Sequence, residues 1–104
     1  MSAYAVKITP RALDDMENIY RYIADELLVP DTALQQYERI ASAIESLREL
    51  PHRCRLFASQ PEKQLGMRLL NVDNYCVIFI TNESEVTVLR VLYSRSDLIA
   101  RLRK

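Results

Sequence analysis

Two stretches near the C-terminus, Tyr75 to Thr81 and Val86 to Tyr93, are apolar at odd and even positions alike. In the first, Tyr75, Val77 and Phe79 fall on one side of an extended chain and Cys76, Ile78 and Ile80 on the other, because strand side chains alternate with a period of two. A strand that is apolar on both sides is central in its sheet and needs cover on both faces. The rest of the 104 residues must supply that cover or leave it to a partner.

One face has an obvious cover. Leu13, Met16, Ile19, Tyr20, Ile23 and Leu27 recur at three- and four-residue steps, the stripe of an amphipathic helix. Thr9 caps its free amides and Pro10 suits its first position, while Asp14 and Asp15 follow in the first turns, where acids favour the helix dipole. Val29 precedes Pro30 and is pushed out of helical geometry, so this helix should stop near Leu28. Asp31 is the natural cap of a second helix that carries Leu34, Tyr37, Ile40, Ala41, Ile44 and Leu47 on one face and ends at Pro51. A connection of about three residues predicts an antiparallel helix hairpin with both stripes facing a sheet.

Tyr4 to Thr9 alternates as an N-terminal strand, and Met67 to Val72 reads as another. Asp73-Asn74 is a tight turn, since Asp and Asn tolerate the positive φ it needs, and Asn82 to Glu85 is a second turn. The last three strands therefore form an antiparallel meander. Ser94 to Lys104 reads as a short helix with Ser94 or Ser96 as its cap and Asp97 in its first turn. The fold class is α+β, one domain over residues 1–104. The second sheet face is left to the irregular loop Pro51 to Gly66, the C-terminal segment or another protein.

Composition removes several classes of function. With one glycine, Gly66, no phosphate-cradling glycine loop can form, and no cofactor site is expected. Cys54 and Cys76 stand with a single histidine, His52, which predicts reduced thiols and neither a metal site nor a disulfide framework. The absence of a long apolar run or a leader-like N-terminus predicts a cytoplasmic protein with no membrane partner. Formal charge is zero, yet Asp14 to Glu49 holds nine acids against three bases and Leu50 to Lys104 nine bases against five acids. The basic half can face an acidic partner or nucleic acid, or simply be solvated. What chemistry remains is metal-free, by arginine and tyrosine: a guanidinium can hold a phosphate and a phenol can carry a proton.

Three stretches carry a family resemblance: Ile8 to Met16 continuing through Ile19-Tyr20-Arg21-Tyr22-Ile23; Gly66-Met67-Arg68 with Asn74 to Phe79; and Val88 to Leu98. In this order and spacing they resemble the RelE/ParE superfamily of bacterial type II toxins. The resemblance implies a strand, a helix hairpin, a meander and a short C-terminal helix. RelE-like members are ribosome-dependent messenger RNA endonucleases, and here Arg68 and Arg95 match two of their basic positions. Leu70 and Cys76 stand where others are expected, and the C-terminal tyrosine position falls near Arg101. A nuclease reading would use Arg68, Arg90 and Arg95 on phosphate, with Tyr93 assisting proton transfer.

ParE-like members share the fold, lack that set and inhibit DNA gyrase. Their C-terminal pattern resembles Val91-Leu92-Tyr93-Ser94-Arg95-Ser96-Asp97-Leu98, with Tyr93 at a position usually histidine. The ParE-like branch is therefore the closer one. It implies a plasmid-stabilisation type of toxin with no cofactor, which binds gyrase, with Arg68, Arg90, Tyr93, Arg95 and Arg101 as candidate contacts. Arg53 and Arg55 join that set on charge alone. A cognate antitoxin would fold its C-terminal segment over the sheet face left open, and the family admits a homodimer or a toxin–antitoxin heterotetramer. The ribosome and messenger RNA as targets, or a degenerate non-toxic interaction module, remain the alternatives.

Overall fold

The computed structural model describes residues 3–103. Strand β1 (Ala5–Ile8) leads into helix α1 (Pro10–Arg21), a π-helical turn (Tyr22–Glu26) and helix α2 (Pro30–Ser46). After a short 3-10 turn (Pro51–Arg53) come β2 (Arg68–Val72), β3 (Tyr75–Thr81), β4 (Glu85–Tyr93) and helix α3 (Leu98–Leu102). The sheet order is β1-β4-β3-β2, with β1 parallel to β4 and the other pairs antiparallel. The doubly apolar strands β3 and β4 are indeed the central pair. Asp73 turns the chain between β2 and β3 with φ +57, held from α2 by Arg39 and Gln36.

Thr9 caps α1 by accepting from the Ala12 amide at 3.1 Å, with Pro10 behind it. Several helix boundaries differ from expectation. Asp14 and Asp15 lie beyond the first turn of α1, and α2 begins at Pro30 after an uncapped Val29, so Asp31 sits inside it. The same helix ends at Ser46, before Pro51, in tightening turns to Glu49. Asp97, not Ser94 or Ser96, caps α3 by accepting from the Ala100 amide. Lys104 lies outside the described residues.

The expected stripe of the first helix also breaks. Met16 and Ile23 are buried, but Leu27 is 52% exposed. The π-helical turn adds one residue per turn, closing Leu27 N–H onto Tyr22 O at 3.1 Å, so Leu27 no longer follows Ile23 into the core. Leu13 and Leu34 are exposed for want of a facing element, while Ala12 and Ala33 are fully buried in their stead.

Helices α1 and α2 cover one face around Phe79, Ile40, Ile44, Val77 and Val88. The other face, Leu69, Cys76, Ile78 and Leu92, is covered by Phe57 from the loop and by Leu98, Ile99 and Leu102 from α3. The chain therefore closes its own second face with the loop and the C-terminal segment, two of the three covers that the sequence left open. An ionic latch holds that cover: Glu62 is 3% exposed and accepts from the half-exposed Arg103 through Nε at 3.0 Å and from Ser59 Oγ at 2.8 Å.

Strand β4 carries a bulge. Phe79 pairs with Val88 and Ile78 with Arg90, which leaves Leu89 as an extra residue. The alternation slips there, so Val86, Val88 and Val91 all reach the helix-side core. Strand β1 stops opposite Val88, and beyond it the outward backbone groups of β4 would be orphaned. Helix α1 replaces the missing strand. Thr9 Oγ1 donates to Leu89 O at 3.1 Å, and Asp15 Oδ2 accepts from the Val91 amide at 3.0 Å. Asp15 is in turn neutralised by a bidentate pair with Arg90, at 2.7 and 2.9 Å, both residues being 9% exposed. Arg90 also donates to Arg101 O at 3.4 Å and so ties α3 to the same point.

Asp15→Ala removes both the counter-charge and the acceptor, and should lower the unfolding free energy by about 3 kcal/mol or more in urea denaturation. Asp15→Asn keeps an acceptor for Val91 N–H and should cost less. Arg103 holds the Glu62 carboxyl down to about 2 against the opposing effect of burial, with help from Ser59. A depressed folded pKa stabilises above the ordinary carboxylate value of 4.5 and ceases to do so as pH falls toward about 2. The difference in melting temperature between wild type and Glu62→Gln should therefore be largest above that value and shrink as pH falls from there through about 2.

Candidate functional site

Where α1 runs into its π-helical turn, a cleft of about 740 Å³ lies beside the end of β4. Tyr22 and Leu27 form one wall, and Tyr75 and Tyr93 the other. Asn18 and Asp15 from α1, Asn74 next to Tyr75, and Arg101 from α3 also line it. Pockets of roughly 300–1,000 Å³ with aromatic walls and a few polar groups are typical binding sites.

Tyr22 is 54% and Tyr93 44% exposed. Tyr93 stands edge-on to Tyr75, its cross-strand partner, with ring centroids 6.0 Å apart. Burial pushes the Tyr75 phenol up, with smaller effects from Tyr93 and Tyr22, so it stays neutral at physiological pH. The Asp15 carboxylate already serves Arg90 and Val91. The cleft is thus suited to binding: amphipathic rings, amides and a cation, with the one carboxylate occupied.

The residues singled out from the sequence are divided by the structure. Tyr93 and Arg101 line the cleft together, and Arg95 lies exposed in the turn that joins their elements. Arg90 is not on a contact surface, because it is locked to Asp15 inside the fold. That pairing also replaces the dipole role expected of Asp15. Arg68 donates to Cys54 O at 2.6 Å and His52 O at 3.3 Å, fastening the loop to β2. It pairs with Phe79, while Val72 and Tyr93 both meet Tyr75, so Arg68 sits about 13 Å along the sheet from Tyr93 and about 10 Å across it. Arg53 binds Glu49 O, Leu50 O and Ser46 Oγ at the end of α2, and Arg55 is exposed in the loop. Cys76 is buried, and burial pushes its thiol up to about 11, an inert apolar filler.

Sequence reasoning missed Asp15 as a sheet-edge acceptor and Tyr22, Tyr75, Asn18 and Asn74 as cleft residues. A visible signal existed for one of them. Leu27-Leu28-Val29 before Pro30 is too apolar for a connection, and it marks where the helix stripe leaves the core beside Tyr22.

The chain is similar to several known proteins. Residues 6–98 match the family described as "ParE toxin of type II toxin-antitoxin system, parDE". No curated protein sequence matches significantly. Among solved structures, the chromosomal ParDE toxin–antitoxin system of P. aeruginosa superposes with a TM-score of 0.73 at 22% identity, over 88% of this chain and 96% of that one. The RelBE2 toxin–antitoxin complex of Mycobacterium tuberculosis gives 0.62 at 18%, over 89% and 93%. The YoeB dimer of Staphylococcus aureus gives 0.59 at 10%, over 88% and 98%. At these identities the structural likeness is one of fold.

Proposed function

The chain belongs to the ParE toxin family of type II toxin–antitoxin systems, and from that premise we propose that it inhibits DNA gyrase by protein contact and is neutralised by a cognate antitoxin. The observation that carries this reading is the division among its basic residues. Arg68 and Arg90, which a nuclease would aim at phosphate, are engaged by loop carbonyls and by Asp15, whereas Tyr93 and Arg101 meet at an open cleft. A hydroxyl and a guanidinium with no activated base beside them suit recognition better than proton transfer. Exposed tyrosines and arginines are also the residue types that dominate protein interfaces.

Two of the structural neighbours are themselves toxin–antitoxin systems or complexes, which supports an antitoxin partner here. In this reading the target approaches the end of the sheet formed by Tyr93, the Arg95 turn and α3. The antitoxin need not complete the core, since Phe57 and α3 already do so. It acts by covering contacts, and the toxin is folded without it.

The test is a pair of parallel reactions with the purified protein: gyrase supercoiling with detection of cleaved-DNA complexes, and messenger RNA integrity in a reconstituted translation system. The expected outcome is inhibited supercoiling with intact RNA. Arg101→Glu should raise the concentration needed for inhibition by about tenfold or more, as for a central interface arginine. Codon-specific RNA cuts with unaffected gyrase would overturn the proposal, and an inactive protein in both reactions would leave only the interaction-module alternative.

A further inference from the structure

One edge of the sheet is left without a guard. Strand β2 is the outer strand opposite β1, and only its first half is covered. Leu56 bridges Arg68, Met67 O accepts from the Phe57 amide, and the Leu69 amide donates to Arg55 O at 3.1 Å. The bond from Leu69 turns that residue's backbone groups away from β3. Such groups alternate sides along a strand, so those of Asn71 point outward as well. They have no hydrogen-bond partner among the described residues. From Leu69 to Val72 there is no charged residue, proline or bulge, the devices that usually keep an edge from pairing.

The open stretch is short, and its length selects the occupant. The loop fills the edge as far as Leu69, so an added antiparallel strand finds room only opposite Leu70, Asn71 and Val72 before it must turn aside. Strand β2 itself meets this condition, because it ends at Val72 and the chain turns at Asp73, where φ is +57. Two copies of β2 set antiparallel about a two-fold axis through Asn71 place Leu70 of one against Val72 of the other. Each Asn71 then donates its amide to the carbonyl of its own copy, the isologous form of a bonded strand pair.

The charges fit the same arrangement. The groove of about 740 Å³ between α2 and the free half of β2 is lined by Gln35, Glu38, Arg39, Ser42, Asn71 and Asp73, and so presents both signs. Arg55 is exposed at the covered end of the edge and has no carboxylate partner among the described residues. The two-fold register brings the second copy's Asp73 to it. A strongly acidic strand would instead meet Glu38 and Asp73, and a strongly basic one Arg39 and Arg55.

We propose that the chain pairs with a second copy of itself along β2, two-fold about Asn71, and joins the two sheets into one. This pairing is independent of which target the Tyr93 end of the molecule meets. Sedimentation of the full chain over a concentration series reads it directly, and the wild type is expected to pass from monomer to dimer. Asn71→Pro removes the outward amide and no bond to β3, a change that an edge strand tolerates. It should weaken dimerisation about tenfold or more while the monomer unfolds at nearly the same temperature. Ser42→Arg, at an exposed position of α2 beside the groove, should give the same loss without touching the strand. Asn71→Cys should link to its own copy when oxidised by diamide, since paired Cα atoms about 5.5 Å apart are within reach of a disulfide. Gln64→Cys, exposed in the loop, should not. A monomer throughout the series, equal linking of the two cysteine variants, or a dimer that Asn71→Pro leaves intact would overturn the proposal. So would an Asn71 amide that exchanges freely at every protein concentration and slows only with gyrase present, which would assign the edge to the target.

Discussion

The fold depends on how strand β4 is completed where β1 runs out. A central strand cannot leave buried amides and carbonyls unpaired, and each such group costs about 1–3 kcal/mol. Here the first turns of α1 act as a substitute strand: Thr9 serves the bulged Leu89 and Asp15 serves Val91. Using a carboxylate as the acceptor places a charge inside the molecule, and Arg90 from the same strand answers it. Because Arg90 also reaches the Arg101 carbonyl, one cluster joins the helix layer, the sheet and the C-terminal helix.

This arrangement decides what the basic residues are free to do. Arg90 is removed from any surface role, and Arg68 holds the loop whose Phe57 packs on the second face. Arg103 closes the other side of that cover through Glu62. Arg90, Arg68 and Arg103 are thus engaged within the fold, while the unengaged ring and guanidinium groups line the cleft beside the π-helical turn.

Several local signals in the sequence were legible, although the caps read at Asp31 and at Ser94 or Ser96 are not the ones used, and long-range signals were not. Thr9-Pro10, the doubly apolar strands and the Asp73-Asn74 turn were legible because each depends on backbone preferences within a few residues. The bulge at Leu89 was not, since the alternation of β4 reads equally well without it. Asp15 and Arg90 are 75 positions apart, and nothing local distinguishes an acid near a helix start that favours the dipole from one that accepts a sheet amide. The π-helical turn was invisible for a related reason: the stripe from Leu13 to Leu27 fits an uninterrupted α-helix. Buried Glu62 lay in a segment with no period at all, where Arg103 is its remote partner. The site was half legible: Tyr93 and Arg101 came from the C-terminal pattern, and the opposing wall required the geometry.

The most direct check of this account is amide hydrogen exchange across the whole chain, with and without gyrase bound. Expected is slowed exchange over the π-helical turn and its connection (22–29), the β2–β3 turn (73–75) and the C-terminal end from 91 to 101, with residues 51–68 unchanged. Protection concentrated at 51–68, with the cleft segments exchanging as in the free protein, would contradict it.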